Sequence, residues 1–363
     1  MRFRQPVLLN PGPVNVSKGV RRALIQPDLC HREEEFGRLL TETRRLLLDV
    51  LGTGRHFTAA ILTGSGTCAL EAAVASSVSA RGKLLVIDNG VYGDRIARIA
   101  ERHRIRHSRV RSAVTEPPDL DALERALRRD RAIEVVAFVH HETSSGMLNP
   151  MPEIGRIVKR AGRVLLVDAI SSLGAEAMEW GRNGVDIAVG VSGKCLHGFP
   201  GLGFVILRHD QIARIQAVAP RSLYLHLADT LAAQEAGSVP FTPAVQVYFA
   251  FRQALRELER ETLAGRIVRY HRRAMLLRQG FARLGLEPLI DPSLQSNVLT
   301  ALRLPRGMSY TRLHDALKAR GFIIYAGQGV LAQTIFRIAH MGEAPEATWP
   351  RLVRTLQEVI KTP

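Results

Sequence analysis

Apolar and polar positions along this chain alternate in two rhythms. Short apolar runs at residues 59–62, 83–88, 133–139, 164–167, 186–190 and 203–207 are rich in aliphatic side chains and bounded by polar residues or glycine. That is the signature of strands buried on both faces. Between them, residues 68–79, 95–103, 120–128 and 154–161 return an apolar residue to one face every three or four positions, the period of an amphipathic helix. Strand and helix in turn predict an α/β fold: a mostly parallel central sheet with helices on both faces.

Ahead of this array, residues 32–51 predict one long helix that stops near Gly52. Behind it, residues 245–284 are rich in helical pattern. Apolar segments at 296–302, 322–325 and 334–338, set around further helices, predict a smaller α+β unit. The expected organisation is an N-terminal segment (1–20), a large domain (21–250) and a small C-terminal domain (251–363). Neither a repeat nor a low-complexity segment interrupts it.

Composition narrows the setting. With 363 residues, 46% of them hydrophobic, the chain has the material for a large soluble core. Nowhere does it approach the ~20 uninterrupted apolar residues of a membrane span, and Met-Arg-Phe-Arg-Gln-Pro lacks the apolar stretch of a signal peptide. A cytoplasmic protein with no membrane partner is expected. Cys30, Cys68 and Cys195 have neither metal-ligand spacing nor a disulfide framework.

The formal net charge of +16 raises nucleic acid as a partner, and residues 101–111 are the densest basic stretch. The excess is mostly Arg scattered over the polar faces of helices, without aromatic interleaving, a basic tail or zinc-finger spacing. Solvated surface explains it better, and nucleic acid is not expected as a partner.

The chemistry concentrates after the predicted strands, where an open α/β sheet places its ligand. Lys194, in Val189-Gly-Val-Ser-Gly-Lys194-Cys-Leu-His-Gly198, follows Asp168, which ends the run Val164-Leu-Leu-Val-Asp168. A lysine amine can hold an aldehyde as an imine, and a buried carboxylate can keep a pyridine nitrogen protonated, so the pair suggests pyridoxal phosphate as cofactor. Thr63-Gly-Ser65-Gly66-Thr67 precedes a helix and reads either as a phosphate cradle or as an N-capped turn. Tyr92, in Asn89-Gly-Val-Tyr92-Gly93, stacks on a ring or packs. His141-Glu-Thr-Ser144-Ser-Gly offers hydroxyls or caps a turn, with no catalytic role for His140 or His141. Arg337 lies inside the apolar Phe336-Arg337-Ile338, and a buried guanidinium requires an anion, either an internal carboxylate or a substrate.

Taken in order, Gly-Ser-Gly-Thr-Cys-Ala-Leu-Glu-Ala, Asn-Gly-Val-Tyr-Gly, His-Glu-Thr-Ser-Ser-Gly-Met-Leu-Asn-Pro, Val-Asp-Ala-Ile-Ser-Ser, Ser-Gly-Lys-Cys and Phe-Arg-Ile resemble the class V aminotransferases. The resemblance runs from end to end and implies a fold-type I pyridoxal phosphate enzyme. The opening Leu-Leu-Asn-Pro-Gly-Pro-Val-Asn-Val is similar to the branch that includes alanine:glyoxylate and 2-aminoethylphosphonate:pyruvate enzymes. Residues 27–33, 146–150, 221–227 and 321–327 look more like the phosphonate side of that branch.

The resemblance implies that Lys194 binds the cofactor covalently and shuttles the proton, that Asp168 pairs with the ring nitrogen, and that Tyr92 stacks on the ring. It implies a phosphate held by Ser65, Gly66 and Thr67, with Thr242 reaching it across a homodimer interface, so that the active sites are shared. Ser144 would lie near the ring oxygen, Arg337 would grip the acidic group of the substrate, and Arg221 and Ser222 would offer second contacts. An amide side chain usually precedes the lysine; here that position is Gly193, and Ser192 is the candidate substitute at the phosphate. The expected partners are a small amino donor and a 2-oxo acid, with 2-aminoethylphosphonate and pyruvate favoured over alanine or serine with glyoxylate. A nucleic-acid-binding protein on a degenerate enzyme fold is the reading from another class. A cysteine desulfurase is disfavoured, because Cys195 adjoins the lysine and no cysteine follows in a mobile loop.

Overall fold

A computed structural model describes residues 5–361. Seven strands form the central sheet: β1 (Phe57–Gly64), β2 (Lys83–Asp88), β3 (His107–Arg111), β4 (Ile133–Val139), β5 (Val164–Asp168), β6 (Ile187–Val191) and β7 (Gly201–Arg208). Their order across the sheet is β1-β7-β6-β5-β4-β2-β3. All neighbours from β6 to β3 pair in parallel, whereas β7 runs antiparallel to both β6 and β1. The mostly parallel sheet expected from the sequence is the one observed.

Both faces are covered. Helices include α1 (Glu34–Val50), α2 (Gly66–Ser77), α3 (Val91–Arg102), α4 (Leu120–Arg129), α5 (Met151–Arg160), α6 (Leu227–Glu235), α7 (Val245–Glu261) and α8 (Leu263–Arg283). Side-chain alternation along β4 shows how the layers are built: Val136 and Phe138 enter a core with Phe36, Leu47 and Phe251, whereas Val135, Ala137 and Val139 enter another with Ala69, Ala73 and Ile96. Helix α2 is mostly buried and alanine-rich, which lets its backbone lie close to the sheet.

The strand β3 has no apolar run to announce it. It lies in the basic stretch at the open edge of the sheet, where Arg109 pairs with Asp88 at 3.1 Å, Asp94 at 2.6 Å and Glu101 at 3.1 Å. A charged edge strand also discourages pairing with a foreign strand.

A second, antiparallel sheet of three strands has the order β8-β10-β9, with β8 (Leu299–Arg303), β9 (Tyr325–Ala326) and β10 (Ile335–Ala339). Helices α8, α9 (Tyr310–Ala319) and α10 (Thr348–Lys361) pack Leu277, Phe281, Leu313, Trp349 and Leu352 around it. The run 322–325, expected as one strand, is divided. Phe322–Ile323 pairs in parallel with Val7–Leu8, and Tyr325–Ala326 pairs with β10. Two short partners compete for one apolar run, and each takes half.

The opposite edge of the central sheet, β1, is closed by a side chain. Gln234 on α6 accepts from Ile61 N at 3.0 Å and donates to Ile61 O at 2.6 Å, in the manner of a neighbouring strand. Replacing Gln234 by Leu removes both partners from a buried peptide, with only a long contact from Tyr248 Oη left at the carbonyl. A loss of roughly 1–3 kcal/mol is expected, read as a lower urea midpoint with an unchanged slope. An unchanged midpoint would show that the edge needs no cover.

Candidate active site

The loops that leave β1, β2, β4, β5 and β6 meet beyond the carboxyl ends of the parallel strands. Asp168 is the last residue of β5 and lies 3% exposed, opposite Val139 on β4 and Val189 on β6. Among the described residues its carboxylate has one hydrogen-bond donor, Ile170 N at 3.0 Å. Burial pushes its pKa up to about 7, against the Ile170 amide, and the nearby Glu142 adds to the rise.

Lys194 follows β6, and its Nζ donates to Pro11 O. Burial lowers its pKa to about 8, opposed by Cys195 and Asp168 and assisted by the charges of Arg337 and Arg95. Desolvation thus comes before neighbouring cations as the cause of the shift.

Ser65, Gly66 and Thr67 form the turn from β1 into α2. Ser65 caps α2, accepting from Cys68 N at 3.3 Å, and Gly66 and Thr67 open the helix with their amides at its positive end. A Cβ on Gly66 would stand 2.9 Å from the Ile170 side chain, which puts this helix start against the turn that follows Asp168. Tyr92 sits in the first turn of α3, where Arg95 lies 4.5 Å over its ring and donates to Thr67 Oγ1 at 3.1 Å. Ser144 is buried. Its hydroxyl donates to Glu142 Oε1 at 2.5 Å and lies 3.4 Å from Val91 N.

Arg337 occupies the middle strand of the antiparallel sheet and is fully buried. Its Nε donates to Ala326 O at 2.8 Å, and its Nη1 donates to Thr143 O at 2.9 Å and Gln328 Oε1 at 3.1 Å. Nη2 has no partner, and among the described residues no carboxylate forms a salt bridge with this guanidinium. Of the two anions that the sequence left open, the internal carboxylate nearby, Glu142, acts on the guanidinium through space without pairing with it.

Other expectations change. The Ser192 hydroxyl donates to Phe199 O, which leaves it no proton for an anion. Arg221 donates to Ala75 O at 2.6 Å and Val78 O at 2.9 Å, capping the far end of α2. A helix of 12 residues puts that end about 18 Å from Ser65, so Arg221 does not face the site of its own chain. Ser222 accepts from Leu225 N in a local turn. Thr242 is exposed in the loop before α7, beside Thr63, Tyr224 and Phe241 and apart from Asp168 and Lys194 within the chain.

Three residues near the site were given no role by the sequence. The Glu142 carboxylate accepts from the amides of Tyr92 at 3.1 Å, Gly93 at 3.3 Å and Ser144 at 3.1 Å, and so ties two strand-end loops together. Gly12 has φ +107, and a Cβ there would stand 2.5 Å from Lys194 Nζ. Arg95 appeared only as the start of the helical stretch 95–103. Each depends on a contact between segments far apart in sequence.

Fold and site together define a transaminase of the pyridoxal phosphate type, and the chain belongs to the class-V aminotransferases, whose family profile matches residues 21–342. It is 38% identical over 359 residues to the 2-aminoethylphosphonate–pyruvate transaminase of Syntrophobacter fumaroxidans, covering 98% of this chain and 96% of that one. With the protein of the same name from Vibrio cholerae it shares 37% identity over 360 residues, covering 98% and 97%. The crystal structure of alanine–glyoxylate aminotransferase from Nostoc superposes with a TM-score of 0.92 at 26% identity, covering 99% and 97%.

The family implies pyridoxal 5'-phosphate, and the residues present fit it. Asp168 is a buried acid without an ion pair, which a pyridinium N–H would satisfy. The start of α2 turns free amides outward for a phosphate, and Lys194 is an amine held near neutrality.

Because Lys194 is charged below about pH 8 and neutral above it, its reaction with an aldehyde should speed up as pH rises through that value. Apoprotein reconstituted with pyridoxal phosphate should gain absorbance near ~400–430 nm with a rate that climbs about tenfold per pH unit below the midpoint and then levels. A midpoint near that of a free lysine would show that burial does not tune this amine.

Proposed function

We propose that this chain transfers the amino group of 2-aminoethylphosphonate to pyruvate, giving phosphonoacetaldehyde and alanine, in a reaction that can also run in reverse. The observation that carries the reading is Arg337, a buried guanidinium whose Nη2 lacks a partner and whose charge is felt at Lys194. Full-length relatives at 35–38% identity bear the name of this reaction.

When bound, pyridoxal phosphate supplies an aldehyde that accepts the amino group and a ring that draws electrons from the neighbouring carbon. Asp168 would keep the ring nitrogen protonated, Ser65, Gly66 and Thr67 would hold the phosphate, and Tyr92 would pack on the ring. Ser144, held by Glu142, would serve the ring oxygen. Lys194 would hold the aldehyde between turnovers, and its Nζ, once free, would carry the proton removed from the amino-bearing carbon, a task that a pKa close to the working pH suits. Arg337 offers its free Nη2 to the phosphonate of one substrate and the carboxylate of the other, while Ala326, Thr143 and Gln328 hold the rest of the guanidinium in place.

The same reading includes a second copy of the chain. Leu223, Tyr224 and Phe241 are 81%, 44% and 36% exposed, and Tyr224 and Phe241 stack at 5.2 Å beside Thr242. A homodimer covers this face and lets Thr242 reach the phosphate in the neighbouring subunit. Sedimentation should give twice the chain mass, and a monomer at micromolar concentration removes this part.

Substrate choice is tested by kcat/KM for 2-aminoethylphosphonate, alanine and serine with pyruvate and glyoxylate. Arg337→Ala should weaken every acidic substrate by roughly 2–5 kcal/mol, and Arg337→Lys should restore only part, because the three donors of an ammonium cannot both serve the substrate and satisfy Ala326 O, Thr143 O and Gln328 Oε1. A parent enzyme that ignores 2-aminoethylphosphonate while using alanine or serine with glyoxylate sinks the assignment. Equal rates in Arg337→Ala would make the arginine structural.

A further inference from the structure

One buried hydroxyl touches both halves of the site. On α8, residues Arg266, Tyr270 and Arg273 lie at spacings of four and three, on one helix face, and all are buried. At one end of this face Arg266 Nη1 donates to Cys195 O at 3.1 Å, beside Lys194. At the other end Arg273 donates to Gly342 O and Ala344 O, each at 3.3 Å, in the loop that leaves the Arg337 strand. Tyr270 Oη stands between. It accepts from Gly342 N at 3.1 Å and lies 2.6 Å from His197 Nε2.

His197 belongs to the lysine loop. Its backbone N donates to Lys194 O at 3.0 Å, and its φ of +60 puts it in the left-handed region that a branchless glycine or an asparagine enters more readily. Burial, with the Arg266 guanidinium beside it, holds the ring neutral. One arrangement of protons fits these contacts: Gly342 N–H donates to the Tyr270 oxygen, Tyr270 O–H donates to His197 Nε2, and His197 Nδ1–H faces the Glu343 carboxylate at 3.7 Å, an electrostatic contact longer than a hydrogen bond. The chain closes on itself. Glu343 N donates to Asn15 O at 2.8 Å, Ala339 N donates to Leu9 O at 2.7 Å, and Pro11 O, between those two points, receives the Lys194 amine.

We propose that Tyr270 is a positioning residue that sets the separation between the Lys194 loop and the Arg337 strand, and through it the relative use of donors whose acidic group lies nearer to or farther from the amine. The inference rests on the roles given above to Lys194 and Arg337. In 2-aminoethylphosphonate the acidic group is attached one carbon beyond the amino-bearing carbon, whereas in alanine it is attached to that carbon itself. A loop and a strand tied through one oxygen hold a single gap, and a loosened tie changes the two donors unequally.

The test is Tyr270→Phe in the holoenzyme, which removes that oxygen and keeps the ring. The ratio of kcat/KM for 2-aminoethylphosphonate with pyruvate to that for L-alanine with phosphonoacetaldehyde should shift by about fivefold or more, the scale of one or two hydrogen bonds. The pH midpoint of the bound cofactor's absorbance, which needs no substrate, should move by about half a unit or more as Lys194 is reoriented. Should that variant not fold, His197→Gln and His197→Ala give the same comparison. Both carry the same left-handed backbone, but the glutamine amide oxygen reaches the position of Nε2 and offers an acceptor to Tyr270, so it should stay nearer the parent, while alanine should shift both readouts. Both donors changing by a common factor with the midpoint unmoved would reduce Tyr270 to packing. A parent inactive on 2-aminoethylphosphonate would instead fail the proposed reaction, and the absorbance midpoint would still judge Tyr270.

Discussion

Asp168, buried, and Lys194, half-buried, feel each other's charge and do not neutralise each other. Each makes its hydrogen bond elsewhere, the carboxylate with the Ile170 amide and the amine with the Pro11 carbonyl. Mutual attraction would push the acid's pKa down and the amine's up. The shifts run the other way, to about 7 and about 8, so loss of water outweighs attraction at both groups. Such a pair is costly to bury unless another molecule supplies what each lacks. The apolar layers on both faces of the central sheet offset that cost, and the parallel strand ends fix the two groups on one edge.

Arg337 is the third charge in this arrangement, and it arrives from the other sheet. Its position in the middle strand makes its backbone a fixture of that sheet, and its main-chain acceptors come from two sides: Ala326 from β9 and Thr143 from the loop after β4. The guanidinium therefore spans the seam between the two sheets. The N-terminal segment does the same, pairing Val7–Leu8 with Phe322–Ile323 and then passing Gly12 against Lys194. A side chain on Gly12 would occupy the space of the amine, which gives that glycine a steric role besides its left-handed backbone.

What could be read in the sequence follows from what is local. Parallel strands buried on both faces are continuous apolar runs, so β2, β4 and β5 are visible without any contact being known, and Asp168 and Lys194 follow from their places after such runs. Strand β3 was invisible because its side chains form ion pairs at an edge instead of entering a core. Glu142 looked like one polar residue in a turn, and its role exists only because α3 brings the amides of Tyr92 and Gly93 to it. Arg221 failed in the opposite sense. It sat in a segment resembling relatives, yet folding sends it to the carbonyls at the far end of α2.

The high positive charge acquires a narrower meaning in this setting. Much of the arginine is tied down: Arg109 by three acids, Arg266 and Arg269 by Glu261, Arg252 and Arg256 by Glu42. Such pairs answer their own charge and add little attraction for a distant partner. Arg337 differs because, among the described residues, no acid pairs with it directly, Glu142 acting only through space, and water does not screen it. A phosphonate has three oxygens around a tetrahedral phosphorus and a carboxylate two in one plane, so the two groups meet the free Nη2 in different orientations. With the fork held by two main-chain carbonyls, adjustment between substrates falls to the rotation of the acidic group and to the distance from Lys194, which links the choice of donor to the ties between the two sheets.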